Sequence, residues 1–169
     1  YILFFGLIRK YKGLDLAIRA MSNELIIQKN IKLIIAGEFY DSEGKYQKLI
    51  KDLNLKNVII FNQFIENKQV PDFFSVSNLV ILPYTSATQS GVTQLAMYYQ
   101  KPMLVTNVGG LPEIIDHKKD GYISSANPEE ISEYILDYFS VDSNELEMSK
   151  AISNKQDSYS WDSFVDEII

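Results

Sequence analysis

Short apolar runs alternate with amphipathic stretches along the chain. The runs are three to five residues long, rich in Ile, Val, Leu and Phe, and bounded by Gly, Pro, Asn or charged residues. This pattern is typical of strands that are buried on both faces of a sheet. Five strands are predicted, with a shorter sixth at Tyr122–Ile123; the five are Ile2–Phe5, Lys32–Ala36, Val58–Phe61, Leu79–Leu82 and Met103–Val105.

The segments between the runs have the spacing of amphipathic helices. Leu14, Ala17, Met21 and Leu25 recur at three- and four-residue steps, which predicts one apolar stripe on a single helix. Asn127 followed by Pro128 and two glutamates is typical of a capped helix N-terminus. The predicted helices are Leu14–Gln28, Gly44–Leu53, Val92–Tyr99, a helix from Pro128, Asn144–Asn154 and Trp161–Ile169.

The alternation of strands and helices predicts an α/β fold in which a parallel sheet carries helices on both faces. Ligands of such sheets bind beyond the carboxyl ends of the strands, so the loops after the strands are the candidates for chemistry. The length of 169 residues suits a single domain spanning residues 1–169. The chain opens inside an apolar run without a methionine, and we interpret it as a segment of a longer chain.

Composition excludes several classes of function. The net charge is −6 and no stretch is densely basic, so we expect no nucleic-acid partner. There is no cysteine and His117 is the only histidine, which excludes a disulfide framework and any thiolate or multi-histidine metal site. The apolar runs are far shorter than a membrane span, and the sequence has no signal-peptide pattern.

Three cations lie between two glycines in the loop after the first predicted strand. Arg9, Lys10 and Lys12 stand between Gly6 and Gly13, directly before a predicted helix. Glycine lets the backbone approach a ligand closely, and a helix N-terminus offers free N–H groups with partial positive charge. Arginine binds a diphosphate through two parallel hydrogen bonds, and lysine adds a point charge. The loop therefore suits a diphosphate, with a solvated basic turn as the alternative.

The loop after the fourth predicted strand is polar but uncharged. Residues 83–91 carry six hydroxyl or amide side chains and end at Gly91, where a helix is predicted to begin. Neutral donors and acceptors suit sugar hydroxyls, and a helix start with glycine suits a phosphate. A polar surface loop in which Ser90 caps the helix is the alternative, and we favour the ligand site.

The remaining loops give weaker signals. Gly37 directly follows a buried strand, and the adjacent Glu38 would face either a ribose hydroxyl or solvent. The Gly-Gly turn at 109–110 and Glu113 in the following helical turn are explained by turn geometry and by the helix dipole. His117 is expected on an exposed turn and is not assigned to catalysis. Trp161 is expected to serve packing.

An ordered set of motifs in these strands and loops is similar to one known family. The set resembles the C-terminal domain of the large retaining glycosyltransferase family called group 1 or family 4, over roughly residues 1–140. The matching stretches are Phe4-Phe5-Gly6 with Lys12-Gly13, then residues 34–37, 80–83, 96–97, 101–102, 108–113 and 120–122.

The resemblance implies the GT-B architecture, in which two Rossmann-like domains face each other across a cleft. This chain would be one half, a Rossmann-like three-layer αβα sandwich that binds a UDP- or GDP-sugar, while the absent N-terminal domain binds a saccharide or lipid-linked acceptor. It implies a retaining hexosyltransferase that is inactive as an isolated domain and needs neither metal nor cofactor. It also implies a cytoplasmic location, at the inner face of the membrane, in cell-surface polysaccharide or glycolipid synthesis.

The resemblance also assigns roles to individual residues. The lysine that contacts the diphosphate falls on Lys12, while its partner arginine falls on Leu7, so Arg9 would substitute for it. Two glutamates that contact the donor in relatives align with Ala87 and Leu95, so both carboxylates are missing. Lys12 and Arg9 would stabilise the leaving group, and the expected substrate-binding residues are Gly6, Gly13, Gly37, Glu38, Gln63, Phe64, Ile65, Thr88, Gln89, Ser90, Gly91, Val92 and Gln94.

Within that set, each part of the donor has its own expected contacts. Thr88, Gln89 and Ser90 would bind the sugar, Gln94 would bind the ribose, and the backbone of residues 63–65 would contact the base. Two alternatives remain open at this point: a nucleotide-sugar-binding pseudo-enzyme that lost the glutamates, and a GT-B-type sugar-nucleotide epimerase.

Overall fold

The computed structural model describes residues 1–40, 42–142 and 144–158, with side chains up to residue 155. The predicted helix Trp161–Ile169, and with it Trp161, lies outside these residues. None of the helices described is both long and apolar enough to cross a membrane. The strands are β1 Ile2–Phe5, β2 Leu33–Ala36, β3 Val58–Phe61, β4 Leu79–Leu82, β5 Met103–Thr106 and β6 Gly121–Ser124. The helices are α1 Leu14–Ala20, α2 Glu24–Gln28, α3 Glu43–Asp52, α4 Val70–Val76, α5 Gly91–Tyr98, α6 Pro128–Tyr138 and α7 Asn144–Ser158.

The six strands form one parallel sheet in the order β3-β2-β1-β4-β5-β6. The predicted α/β fold with a parallel sheet is therefore confirmed. The chain runs outward from β1 to β3, and then returns to the other side of β1 with β4. The order reverses between β1 and β4, and doubly wound folds bind their ligands in the crevice at this point.

Side chains that alternate along each strand build two cores, one on each face of the sheet. Ile2 and Phe4 of β1 pack with α1, α2, α3 and α6, whereas Leu3 packs on the other face with α4 and α5. This period of two explains why almost every residue of the central strands is apolar: both faces are covered by helices. The architecture is the expected three-layer sandwich.

The predicted helix Leu14–Gln28 is wrong as a single element. α1 ends at Ala20, and Asn23 starts α2 by accepting a hydrogen bond from the Leu25 backbone N–H at 3.0 Å. This local cap resets the helical phase, so Leu25 is 53% exposed and Ile26 is buried in its place. The predicted stripe therefore holds through Met21 and fails at Leu25.

Two further features differ from the sequence expectations. α4 was not predicted, because its seven residues with Pro71 in the first turn are too few to show a helical period. β3 was expected to be buried on both faces, but its side chains are half-buried and Phe61 is 41% exposed. β3 lies at the edge of the sheet, where neighbouring elements cover less of it.

A buried ion pair connects α7 to the turn before β6. Lys155 Nζ of α7 lies 2.9 Å from Asp120 Oδ2 and donates to the Ile114 carbonyl oxygen at 2.6 Å. The Asp120 side chain is 3% exposed, and its other oxygen accepts the Asp116 backbone N–H at 2.7 Å. Asp120 thus depends on Lys155 to compensate its buried charge.

Lys155→Met should lower the free energy of unfolding by about 3 kcal/mol, because the Asp120 carboxylate would remain buried without its charge partner. Urea unfolding followed by circular dichroism measures the change. Lys150→Met removes an exposed lysine from the same helix and should shift stability by less than about 0.5 kcal/mol. Equal stability of the two variants would show that the ion pair does not hold α7.

Candidate functional site

The loops after β1, β4 and β5 converge on the N-terminus of α5. A Cβ placed on Gly6 would lie 3.4 Å from Lys12 Nζ and 3.6 Å from Val92 Cγ2, so these three residues meet at the carboxyl end of β1. Gly13 has a φ of +66°, and a side chain there would overlap the Pro83 carbonyl oxygen. The β1 and β4 loops are therefore in direct backbone contact, which only glycine permits at this position.

Lys12 presents a poorly solvated ammonium group at this junction. It lies at the end of a 3-10 turn, Lys10–Lys12, and is 8% exposed. Burial, followed by the nearby positive charge of Arg9, lowers the pKa of Lys12 from 10.5 to about 8. Nζ lies 5.8 Å from the centre of the Tyr84 ring, and no carboxylate of the described residues forms an ion pair with it. An anion bound here would supply the missing counter-charge.

The N-terminus of α5 is capped by a Ser90 hydrogen bond, yet its first turn is accessible to a ligand. Ser90 Oγ accepts the Val92 backbone N–H at 3.2 Å and lies 3.1 Å from the Tyr84 hydroxyl. Burial raises the pKa of Tyr84 to about 12, so this hydroxyl keeps its proton at neutral pH. Apart from its chain neighbours and its own helix backbone, no atom of the described residues lies within 4 Å of a Cβ placed on Gly91. The first turn of α5 therefore faces free space with the positive end of the helix dipole.

A cleft of about 680 Å³ lies on the other side of the α5 N-terminus, between the β4 and β5 loops. The Gly110 backbone N–H donates to the Thr88 carbonyl oxygen at 3.0 Å. Gly109 has a φ of +54°, and a side chain there would overlap the Ala87 carbonyl oxygen. These contacts fix the cleft walls, so the predicted turn function of the Gly-Gly pair agrees with its position.

Four polar side chains line this cleft without a hydrogen bond or ion pair to any described residue. They are Thr88, Gln89, Gln94 and Glu113. Ser90 and Thr93 differ, because Ser90 caps α5 and Thr93 Oγ1 donates to the Ser90 carbonyl oxygen at 2.5 Å. The cleft thus keeps hydrogen-bonding capacity available for a ligand rather than for the fold.

The other cations of the β1 loop are directed elsewhere. The exposed Arg9 guanidinium lies 4.6 Å above the centre of the Tyr40 ring, a cation–π contact that holds it over the β2 loop. Lys10 lines a separate groove of about 390 Å³ between α1 and α3. Of the three cations, Lys12 is the one at the α5 N-terminus.

The loops after β2 and β3 lie at the same carboxyl ends of the strands, on the other flank of the site. Gly37 is buried against the Gly6 backbone, while the Glu38 side chain is exposed and its carbonyl oxygen accepts the Ile8 N–H at 2.8 Å. After β3, Gln63 and Phe64 are exposed, with Phe64 at 72%.

Ile65, the last residue of the predicted base-binding segment, is 8% exposed and packs into the core beside α4 and α5. Its side chain belongs to the fold, which leaves the backbone of this segment for a ligand.

Sequence reasoning missed the cleft position of Glu113. It attributed this residue to the dipole of the short 3-10 helix Pro112–Ile114, whereas the structure places its carboxylate beside Gly110 on the cleft wall. Of the two positions that align with family glutamates, Ala87 lines the cleft and Leu95 packs against the core. The available signal was topological: Glu113 follows β5, the strand adjacent to β4 in the sheet. His117, as expected, is exposed, and its Nδ1 accepts the Ile123 N–H at 3.0 Å.

Comparison with known sequences identifies one family over most of the chain. Residues 1–156 match the family described as glycosyl transferases group 1. An uncharacterized glycosyltransferase of Methanocaldococcus jannaschii is 28% identical over 172 residues, covering 99% of this chain and 43% of the relative. The chain spans less than half the length of the curated relatives it matches.

Solved structures agree on the fold. The C-terminal domain of a glycosyl transferase group 1 protein from Francisella tularensis superposes with a TM-score of 0.80 at 19% identity, covering 90% of this chain and 82% of that one. An Anabaena protein solved with UDP and glucose gives a TM-score of 0.76 at 18% identity, covering 90% of this chain and 42% of that one.

The buried state of Lys12 predicts a specific dependence of stability on pH. The folded-state pKa is about 8 and the ordinary value is 10.5, so the unfolded chain binds more protons between these pH values and this residue's contribution to stability rises with pH. Below pH 8, Lys12→Met should therefore be more stable than wild type by about 1–2 kcal/mol, a figure reduced for residual contact with solvent. The difference should shrink as the pH approaches 10.5.

Urea unfolding at pH 7 and pH 10 measures this difference. Lys51→Met, which removes an exposed lysine, corrects for the general effect of losing a positive charge. A stability gap that is zero at pH 7, or equal at both pH values, would show that Lys12 is not desolvated.

Proposed function

The chain belongs to the group 1 glycosyl transferase family, and on that premise we propose that it is the half of the enzyme that binds the nucleotide-sugar donor. The observation that carries the proposal is the unpaired Lys12 ammonium beside the open N-terminus of α5, with a hydrogen-bonding cleft on the far side of that terminus. A UDP- or GDP-sugar has the complementary parts in the same order: a diphosphate joined to a sugar.

The diphosphate is proposed to lie between Lys12 and the first turn of α5. Lys12 supplies a charge that has no counter-ion among the described residues, and the Gly91 amide supplies a donor at the positive end of the helix dipole, since the Val92 amide already donates to Ser90. Gly6 and Gly13 keep the β1 loop free of side chains here. Arg9 reaches the same ligand if its guanidinium leaves the Tyr40 ring.

The sugar is proposed to occupy the cleft, against Thr88, Gln89 and Gln94, because Gln94 lines this cleft and not the nucleoside side of the site. Ser90 acts through α5, because its hydroxyl is already used to cap the helix. Gly37, Glu38 and the backbone of residues 63–65 then form the nucleoside side of the site. The topology of the sheet supports this proposal, because all of these loops follow parallel strands and therefore lie together at the carboxyl ends of those strands.

In the reaction proposed, the bond between the anomeric carbon and the diphosphate oxygen breaks, and its electron pair stays on the diphosphate. Lys12 and the Gly91 amide at the α5 N-terminus stabilise that developing negative charge, which is the contribution of preorganised electrostatics to catalysis. The acceptor oxygen forms its bond to the anomeric carbon on the face that the diphosphate leaves, as in a retaining hexosyltransferase, and its proton passes to the departing diphosphate oxygen. No metal or cofactor is required, because Lys12 and the helix supply the positive charge.

The acceptor half is proposed to lie in sequence outside these 169 residues, so the chain alone would bind donor without transferring sugar. The coverage of less than half of each relative supports this division. We place the complete enzyme in the cytoplasm, at the inner face of the membrane, in the synthesis of a cell-surface polysaccharide or glycolipid.

Calorimetric titration with UDP, GDP and a panel of their sugar derivatives tests donor binding directly. At least one should bind, and Lys12→Met should weaken that binding about tenfold or more, because a buried charge–phosphate contact is lost. In the complete enzyme, Lys12→Ala should lower turnover about tenfold or more. Lys51→Met is the control and should bind as wild type does. Binding that is unchanged in Lys12→Met would remove Lys12 from the site.

Gly91→Leu should block the diphosphate without harming the fold. Apart from its chain neighbours and its own helix backbone, a Cβ at this position meets no atom of the described residues within 4 Å, so the side chain would enter the space proposed for the ligand. We expect an affinity loss of about tenfold or more, with stability changed by less than about 1 kcal/mol.

Gly44→Leu makes the same change in the first turn of α3 and serves as the matched control. Among the described residues, a Cβ there meets Ser42 Oγ alone, at 3.7 Å. Donor affinity that survives Gly91→Leu would place the diphosphate elsewhere.

A further inference from the structure

One carboxylate faces the cleft without a partner among the described residues. The Glu113 side chain is exposed to the cleft, and neither a hydrogen bond nor an ion pair to another described residue involves its oxygens. The other side chains with free hydrogen-bonding groups on the cleft wall are neutral: Thr88, Gln89 and Gln94. Glu113 is therefore the single charged group on the described lining of this cleft.

The turn that carries Glu113 is hydrogen-bonded to the β4 loop. Glu113 Oε2 lies 3.8 Å from the position of a Cβ on Gly110, and Gly110 is hydrogen-bonded to Thr88 across the cleft. The next residue, Ile114, accepts a hydrogen bond from Lys155 at 2.6 Å, which holds the turn from the other side. Glu113 thus projects from a backbone turn that two other segments support.

The site is electrically polarised along its length. Lys12 approaches the α5 N-terminus from the β1 side, and Glu113 approaches the cleft from the β5 side, because β1 and β5 flank β4 in the sheet. A carboxylate accepts hydrogen bonds and donates none, and its two oxygens suit a pair of neighbouring hydroxyl groups. It also repels a second carboxylate that is placed beside it.

We propose that Glu113 determines which sugar the donor carries, by binding two neighbouring hydroxyls of a neutral hexose and by disfavouring a uronic acid. This inference rests on the proposed function, since it assumes that the sugar of a nucleotide-sugar occupies the cleft. Glu113 and Lys12 then recognise two adjoining parts of one ligand: the sugar and the diphosphate to which it is joined.

The test compares donors that differ only in the sugar. UDP-glucose, UDP-galactose and GDP-mannose are titrated into the chain by calorimetry, together with free UDP and GDP. The neutral donor that binds most tightly is then compared with its uronate counterpart (UDP-glucuronate, UDP-galacturonate or GDP-mannuronate). Wild type should prefer the neutral donor by about tenfold or more, because the uronate adds a charge repulsion.

Glu113→Gln keeps the shape of the side chain and removes its charge. We expect it to weaken the neutral donor by about tenfold, to leave the free nucleoside diphosphate within about twofold, and to remove most of the discrimination against the uronate. Glu133→Gln, an exposed carboxylate on α6, is the control and should change none of these affinities.

The possible outcomes separate the two proposals. If the nucleoside diphosphate binds but Glu113→Gln leaves both neutral-donor affinity and uronate discrimination unchanged, the role of Glu113 is wrong and donor binding stands. If Glu113→Gln weakens the free nucleoside diphosphate as much as the sugar donor, the effect is not on the sugar, and the inference is wrong as well. If neither nucleoside diphosphates nor sugar donors bind to wild type, both proposals fall.

Discussion

The ammonium group of Lys12, buried without a counter-ion among the described residues, is the constraint on which the rest of the site depends. The sequence between Gly6 and Gly13 folds into a tight turn that ends at Lys12. The turn packs against the β4 loop because Gly13, which has no side chain, allows the Pro83 carbonyl to contact its backbone. Burial there disfavours the charged form, as the lowered pKa shows. A folded chain that retains such a group gives up stability, and an anionic ligand would restore it. The desolvation cost of the Lys12 charge is thereby linked to the binding function proposed.

The topology of the sheet gives this site its direction. β4 lies between β1 and β5, so the helix that follows β4 has the β1 loop on one side and the β5 loop on the other. The first loop brings a cation and the second brings a carboxylate, while α5 places its N-terminus between them. A ligand in which a diphosphate is joined to a sugar matches this arrangement with the diphosphate toward the β1 loop and the sugar toward the β5 loop. Specificity for orientation thus follows from strand order, before any single contact is considered.

The sequence was sufficient for the sheet and for the prediction that the loops after the strands meet at its carboxyl end. Continuous Ile, Val and Leu runs have no competing interpretation, and they defined five strands within one residue at each end. Leu25 was wrongly placed on the buried stripe because the Asn23 cap starts a new helix, and α4 was not predicted. Both features are too short to show a helical period in the sequence. Glu113 was assigned to the helix dipole because adjacency in the sheet, and not spacing along the chain, brings it to the β4 loop.

The β4 and β5 loops meet at Ala87, one of the two positions where the resemblance to the family places a glutamate. The Ala87 carbonyl oxygen lies against the left-handed turn at Gly109, where a Cβ would overlap it, so the two loops are in direct backbone contact. Close approach brings the β5 turn, and Glu113 with it, onto the cleft wall. That wall is in turn held by Lys155, which bonds both Ile114 and the buried Asp120. The turn that carries Glu113 therefore depends on α7, which lies far along the chain. The same Lys155 contacts contribute to the stability of the fold and to the proposed recognition of the sugar.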